Sequence, residues 1–361
     1  MKEPGYDAYI GWSKKYGPMY TFWLGETPVI CLTDYNLINE TFVKDGDAYV
    51  GRIKAPMFMK LIRSPYGVVW TEGSLWKEQR RFALQVLRNF GLGKNIMQER
   101  ILVEVSSLIE QINNDINAGV LVHDILTPIG IGVGSLINNL VFGYRFEGKK
   151  LQEYHELKPL LGQFVRGFGS PWTLLIQKWY QYAKYIPFCR YYYYLMKDAT
   201  DTLHEFYMRQ INAHIEKFDP HDESEPTDYV EAFLKEKAKR EAEGDTNNYF
   251  IIPQLLGMCY DFWLAGQETT TNTLAWGVLY LMIEPEVQAR LQKEFDMVIG
   301  SDRLITVEDK HNLHYASAVV NLSIVPEKPP SLYRKAGASV SPHPYVCHIE
   351  KRYCNFRDII S

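Results

Sequence analysis

Inside a long apolar run, residues Phe262 to Thr273 read FWLAGQETTTNT, which sets a glycine, an acid and four threonines where a buried helix would otherwise continue. Threonine and interior glycine cost a few tenths to ~1 kcal/mol each relative to alanine in a helix. A core segment that accepts this cost is expected to use it. Glu268 beside Thr269, just after the small pair Ala265 and Gly266, is expected to open the helical ladder and seat water. An acid and a hydroxyl so placed could relay protons to a group bound against that face.

A second constellation lies upstream. From Ser74 the chain reads SLWKEQRRFALQVLRNFGLGK, with Leu75, Phe82, Val86, Leu87 and Phe90 at helical spacing and Asn89 and Gly91 as stop signals. Trp76 and Arg80 fall one turn apart on one face, so an indole N–H and a guanidinium can reach the same carboxylate. Taken alone, the pair reads better as a core tryptophan and a surface arginine. Lys77, Arg81 and Arg88 lie near one side of the same helix, either a solvated basic face or one that steers an acidic partner. The glycine-rich PIGIGVGS (Pro128 to Ser135) has neither the preceding strand nor the following acid of a dinucleotide site. No HExxH and no Cys/His zinc spacing occurs, so no metal ligand is assigned.

The elements that must position these residues belong to a large core. At 361 residues, 46% hydrophobic and 23% charged, the composition is that of a globular protein of one large or two ordinary domains. A net charge of −4 gives no reason to expect nucleic acid. Five scattered cysteines without a CxxC favour reduced thiols, and Cys259 reads as a small buried hydrophobe. The first twenty residues lack the apolar core of a signal peptide, and no uninterrupted run approaches the ~20 apolar residues of a membrane span. Met19 to Gly25 and Val29 to Asp34 read as a β-hairpin, with helical patterning from Tyr35 to Lys44. Further helices are expected at 95–118, 124–142, 151–168, 197–217 and 228–243, an exposed loop at 218–228, and a central helix over Ile251 to Ile283.

Here the motifs resemble a known family. Ala265-Gly266-Gln267-Glu268-Thr269 is similar to the oxygen-activating motif A/G-G-x-D/E-T of cytochromes P450, and Trp76 to Arg80 to their helix-C motif W-x-x-x-R. The hairpin, the segment Phe42 to Arg52, and Glu284 to Asn321 resemble the amino-terminal sheet and helix B, and helices J and J′, of microsomal animal-type members. The resemblance covers about residues 4 to 321. It implies a fold that is mainly α with small β-sheets, and a haem monooxygenase that inserts oxygen into apolar small molecules. Electrons would come from NADPH only indirectly, through a reductase docked on the basic helix-C face. The resemblance further implies Trp76 and Arg80 on a haem propionate, Ala265 and Gly266 leaving room above the porphyrin, and Thr269 hydrogen-bonding the oxygen substrate while Glu268 supplies protons. It places such a protein at the cytoplasmic face of the endoplasmic reticulum. The aromatic run Trp179 to Lys197 would fall at the substrate entrance, in peripheral membrane contact, although any one of its rings reads better as plain packing. The absence of an amino-terminal anchor leaves a cytoplasmic location open.

The resemblance stops after Asn321. Leu322-Ser323-Ile324-Val325 stands where the family carries E-x-x-R, and the remaining residues hold five prolines and no periodicity. The family's haem loop F-x-x-G-x-R-x-C-x-G is not found: neither Cys347 nor Cys354 has its flanking glycines. The reading is therefore residues 1–321 as the amino-terminal portion of the P450 domain, helices A to J′ and the start of K, in an incomplete fold, and 322–361 as a divergent, disordered tail. Such a chain is expected to be inactive as it stands; the alternative to an enzyme is a non-catalytic truncated isoform or gene-model fragment.

Overall fold

A computed structural model describes residues 5–24, 27–53, 56–62, 65–91, 95–120, 122–168, 180–183, 185–245, 248–300, 303–322, 334–335 and 341–342. Helix α1 (Gly5–Tyr16) turns at Gly17, φ +93°, into strands β1 (Met19–Leu24) and β2 (Thr27–Leu32). The strands pair antiparallel with Met19 opposite Leu32 and Leu24 opposite Thr27, as the two apolar runs predict. Tyr9 and Trp12 of α1 pack their rings on Phe22 at centroid distances of 5.4 and 5.5 Å, which fixes α1 to the hairpin.

Short α2 (Tyr35–Ile38) is capped by Asp34, whose carboxylate accepts from the Leu37 N–H, and α3 (Pro56–Leu61) follows two short irregular turns. The large helices come next: α4 (Gly73–Asn89), α5 (Asn95–Asn117), α6 (Leu126–Phe142) and α7 (Leu151–Phe168). The one-turn α8 (Tyr180–Ala183) leads to α9 (Pro187–Lys217), α10 (Tyr229–Ala242), α11 (Ile252–Ile283), α12 (Pro285–Val298) and α13 (His314–Leu322). The protein is mainly α with small β-sheets. Helix α9 begins ten residues before the expected start at 197, because Pro187 opens it with a preset φ and no N–H to satisfy. The run Trp179 to Lys197 is thus largely helical, with Trp179 and Lys184 outside the described residues. The tail, expected to be disordered, contributes one antiparallel pair, β3 (Arg334–Lys335) with β4 (Ser341–Pro342), and β4 lies against α11.

Helix α11 runs through the core, packed chiefly on α6 and also on α7, α9 and α12. Leu255, Met258, Cys259 and Trp263 are fully buried on it, each apolar side chain worth ~1.5–3 kcal/mol on removal from water. Glycines set how closely α6 approaches. A Cβ at Gly134 would lie 2.8 Å from the Tyr154 ring and 2.9 Å from Gln267 Oε1. Gly130 and Gly134 of PIGIGVGS are therefore packing residues inside α6. A second apolar cluster joins Met57, Phe58, Leu61 and Ile62 to Phe164, Cys189 and Met196, with Trp70, Phe168 and Leu264 against it. Among the described residues no helix is long and apolar enough to cross a membrane.

Candidate functional site

The expected break in α11 does not occur. The helix is continuous through Ala265 to Thr273 because its threonines bond within the ladder: the Thr269 hydroxyl donates to the Ala265 carbonyl, and Thr273 to Thr269 at 2.8 Å. Ala265, Thr269, Thr270, Thr273 and Leu274 are exposed on a helix whose opposite side is core. This is a stripe of small and hydroxyl side chains at helical spacing, with Leu274 at its edge. Gly266 does not join it. A Cβ there would meet Ile137 Cδ1 at 2.8 Å, so its small size brings α11 onto α6.

Glu268 points between helices, where its carboxylate forms an ion pair with the Lys158 ammonium of α7. Tyr154, one turn before Lys158, is buried. Burial first and then the charge of Glu268 hold its hydroxyl protonated well above its ordinary value. Gln267, fully buried, donates from Nε2 to the Gly130 carbonyl at 2.9 Å and ties α11 to α6. A cavity of about 320 Å³ opens beside these groups, lined by Tyr154, His155, Lys158, Thr271 and Asn272. Nearer the start of α11, Asp261 accepts from Val68 N–H at 2.6 Å and Val69 N–H at 3.0 Å. Burial pushes its carboxyl up to about 7 against the pull of those two donors.

On α4, Trp76 is half-buried and Arg80 exposed, with the guanidinium carbon 5.6 Å from the indole centroid. Arg52 supplies a second guanidinium on the same ring at 5.4 Å. Its Nε donates to the Val69 carbonyl at 3.2 Å and Nη1 to the Val50 carbonyl at 2.7 Å. No ion pair among the described residues joins Arg52 or Arg80 to a carboxylate. Of the other basic residues, Lys77 approaches Asp47 at 3.9 Å, and Arg81 and Arg88 are exposed.

The structure thus groups Ala265 with Thr269, Trp76 with Arg80, and Glu268 with Lys158. No hydrogen bond or ion pair among the described residues connects α4 to the Ala265–Thr269 stripe. Arg52 and Lys158 join these candidate residues only in the fold. Arg52 is only the last residue of a loop-like segment, and Lys158 gains meaning only when α7 is laid on α11.

An iron protoporphyrin carries two carboxylates on an otherwise flat apolar ring. Two guanidiniums on one indole, with no carboxylate partner among the described residues, suit the carboxylates. The small-residue stripe of a core helix suits the ring face. The described residues fit that group. No cluster of metal-ligating side chains occurs among them, and Cys347 and Cys354 lie outside them.

A mainly helical fold around one long central helix, bearing an A-G-x-E-T segment and a W-x-x-x-R helix, defines a class of haem-binding architecture. The family described as Cytochrome P450 matches residues 2–321, and the chain belongs to it. It is 34% identical to cytochrome P450 2H2 of Gallus gallus over 314 residues, 86% of this chain and 60% of that protein. It is similar also to cytochrome P450 2C4 of Oryctolagus cuniculus (31%, 86% and 60%) and 2J5 of Mus musculus (33%, 85% and 59%). The chain spans about 60% of the length of the curated relatives it matches.

Proposed function

We propose that residues 2–321 are the oxygen-facing part of a haem-dependent monooxygenase acting on apolar small molecules, with electrons from NADPH through a reductase. The observation that carries the reading is the pairing of an exposed Ala265–Thr269 stripe on the core helix with a two-guanidinium cluster at Trp76, on a chain of this family. Haem, when bound, supplies the redox chemistry by which dioxygen is activated. The chain's own residues do the rest. Arg80 and Arg52 neutralise propionate charge, with Trp76 holding both guanidiniums by its ring face. Ala265 keeps the helix surface low. Thr269 offers a hydroxyl that now donates to the Ala265 carbonyl and can turn to a substrate oxygen. Glu268, ion-paired with the cavity-lining Lys158, is the residue that would hand a solvent proton on to the neighbouring Thr269. In this reading the basic face of α4 is the reductase-docking surface, and the working location is the endoplasmic reticulum membrane.

A second reading has a specific observation behind it. The family match ends at residue 321, and neither Cys347 nor Cys354 is in a loop of the family's form. On this reading the 361-residue chain is non-catalytic. The test is a chain in which residues 1–321 are continued by a relative's haem-cysteine segment. There Arg80→Ala should loosen haem retention about tenfold or more, since a charge-assisted hydrogen bond is worth ~1.5–3 kcal/mol. Thr269→Ala should uncouple NADPH consumption from product formation. Unchanged haem occupancy and coupling in both variants would remove these residues from the site.

A further inference from the structure

The loop between α3 and α4 is fastened to the first turns of α11 by contacts that the proposed chemistry does not use. Gln254, fully buried, makes a reciprocal pair with one residue of that loop. The Gly67 N–H donates to its Oε1 at 3.0 Å, and its Nε2 donates to the Gly67 carbonyl at 3.2 Å. Thr71 Oγ1 donates to the same carbonyl at 2.7 Å. Gly67 takes φ +94°, which a residue with a side chain adopts only under strain. Gly257 lets the loop come this close: a Cβ there would lie 2.6 Å from Gly67 N. Asp261 then takes the next two amides, Val68 and Val69. Three successive backbone N–H groups, 67 to 69, therefore end on side chains of α11.

The other side of this segment faces the guanidinium cluster. The Val69 carbonyl accepts from Arg52 Nε at 3.2 Å, and Glu72 Oε2 accepts from the Arg52 backbone N–H at 3.0 Å. Arg52 in turn lies over Trp76. We infer that Gln254 is a positioning residue for the anion-binding cluster: it fixes Gly67, and so the Val69 carbonyl that aims Arg52 across Trp76 at an acidic group. The inference rests on the reading of Arg52, Trp76 and Arg80 as a propionate site. A glutamine suits the task because one amide supplies both the acceptor and the donor that a buried backbone unit requires. An apolar replacement leaves the Gly67 N–H without its acceptor and the Gly67 carbonyl with Thr71 alone.

The test is titration of the purified chain with haemin and with haemin dimethyl ester, which lacks the free carboxylates, read by Soret absorbance. Amide exchange at Gly67 and Val69 is followed by mass spectrometry or NMR. Gln254→Met keeps the side chain's length and removes both polar atoms. It should weaken haemin binding about tenfold, leave the ester within about twofold, and speed exchange at Gly67. Combined with Arg52→Leu it should weaken haemin no further than Arg52→Leu alone, because both act on one contact. Thr71→Val, a milder change at the same carbonyl, should move haemin about threefold in the same direction, and stands in if Gln254→Met does not fold. Equal losses for haemin and ester, or additive losses with Arg52→Leu, overturn the positioning role. A wild-type chain that binds haemin and ester alike, with Arg52→Leu affecting neither, overturns the propionate reading itself and with it this inference.

Discussion

Replacing Asp261 by asparagine is expected to make the protein more stable at neutral and alkaline pH and to leave it little changed in acid. The carboxyl is buried, and its pKa rises from an ordinary 3.8 to about 7, against the lowering effect of the Val68 and Val69 amides. That rise of about three pH units corresponds to roughly 4 kcal/mol. The sign follows from proton binding. Between 3.8 and about 7 the folded state holds the proton more tightly than the unfolded chain, so stability is greatest below pH ~4 and falls as pH rises through that window. Above about 7 both states are ionised and the loss is constant. Asparagine keeps an acceptor for the two amides and cannot ionise, so the difference in stability between variant and wild type should move in favour of the variant by roughly 3 kcal/mol from pH 4.5 to pH 8. Urea unfolding at several pH values, followed by tryptophan fluorescence, measures this directly. Asp261→Ala is the control: it also cannot ionise but leaves both amides without an acceptor, so it should lie below Asp261→Asn by about 1–3 kcal/mol per amide at every pH. Parallel pH profiles for wild type and Asp261→Asn would refute the reasoning.

Two further outcomes follow from the packing. Gly257→Ala should destabilise the fold by about 1–3 kcal/mol and raise amide exchange across 67–69, because its Cβ would strike backbone atoms at 2.6 and 2.7 Å that no rotamer can move; a neutral effect in urea denaturation contradicts this. His214 should be an imidazolium in the folded state, since Nδ1 faces the Gln210 carbonyl at 2.7 Å and Nε2 the Asp228 carboxylate at 3.0 Å, and neither oxygen can donate. Burial lowers its pKa, but Asp228 and the Gln210 carbonyl outweigh that and raise it. The stabilisation is then complete below the ordinary value of 6.5 and lost as pH rises through the folded value. An NMR titration that places His214 below 6.5 would contradict the assignment.

Much of this was legible in the residues. The amphipathic spacing from Leu75 to Phe90 marks α4, and Gly91 at φ +96° ends it where the stop signal stands. The hairpin follows from two apolar runs. The behaviour of α11 was not legible in the same way. Threonine and glycine propensities argue for a break, yet the Thr269 and Thr273 hydroxyls bond carbonyls four residues back, and burial holds the ladder intact. Gly266 reads as clearance for a ligand, and its neighbour Ile137 shows it as clearance for a helix. Lys158 with Glu268, Arg52 with Trp76, and Gln254 with Gly67 are meetings set by tertiary packing. No local period announces them.

The proposed function has residues 1–321 facing the haem and a thiolate ligand supplied by a segment of the family's haem-cysteine form, unlike 322–361. Its most direct test is the reduced, carbon-monoxide-bound absorption spectrum of two haem-loaded proteins: the 361-residue chain, and residues 1–321 continued by a relative's haem-cysteine segment. The account predicts a thiolate-type Soret band in the second protein and none in the first. A thiolate band from the 361-residue chain, abolished by substituting Cys347 or Cys354, or no such band from the continued chain, would contradict it.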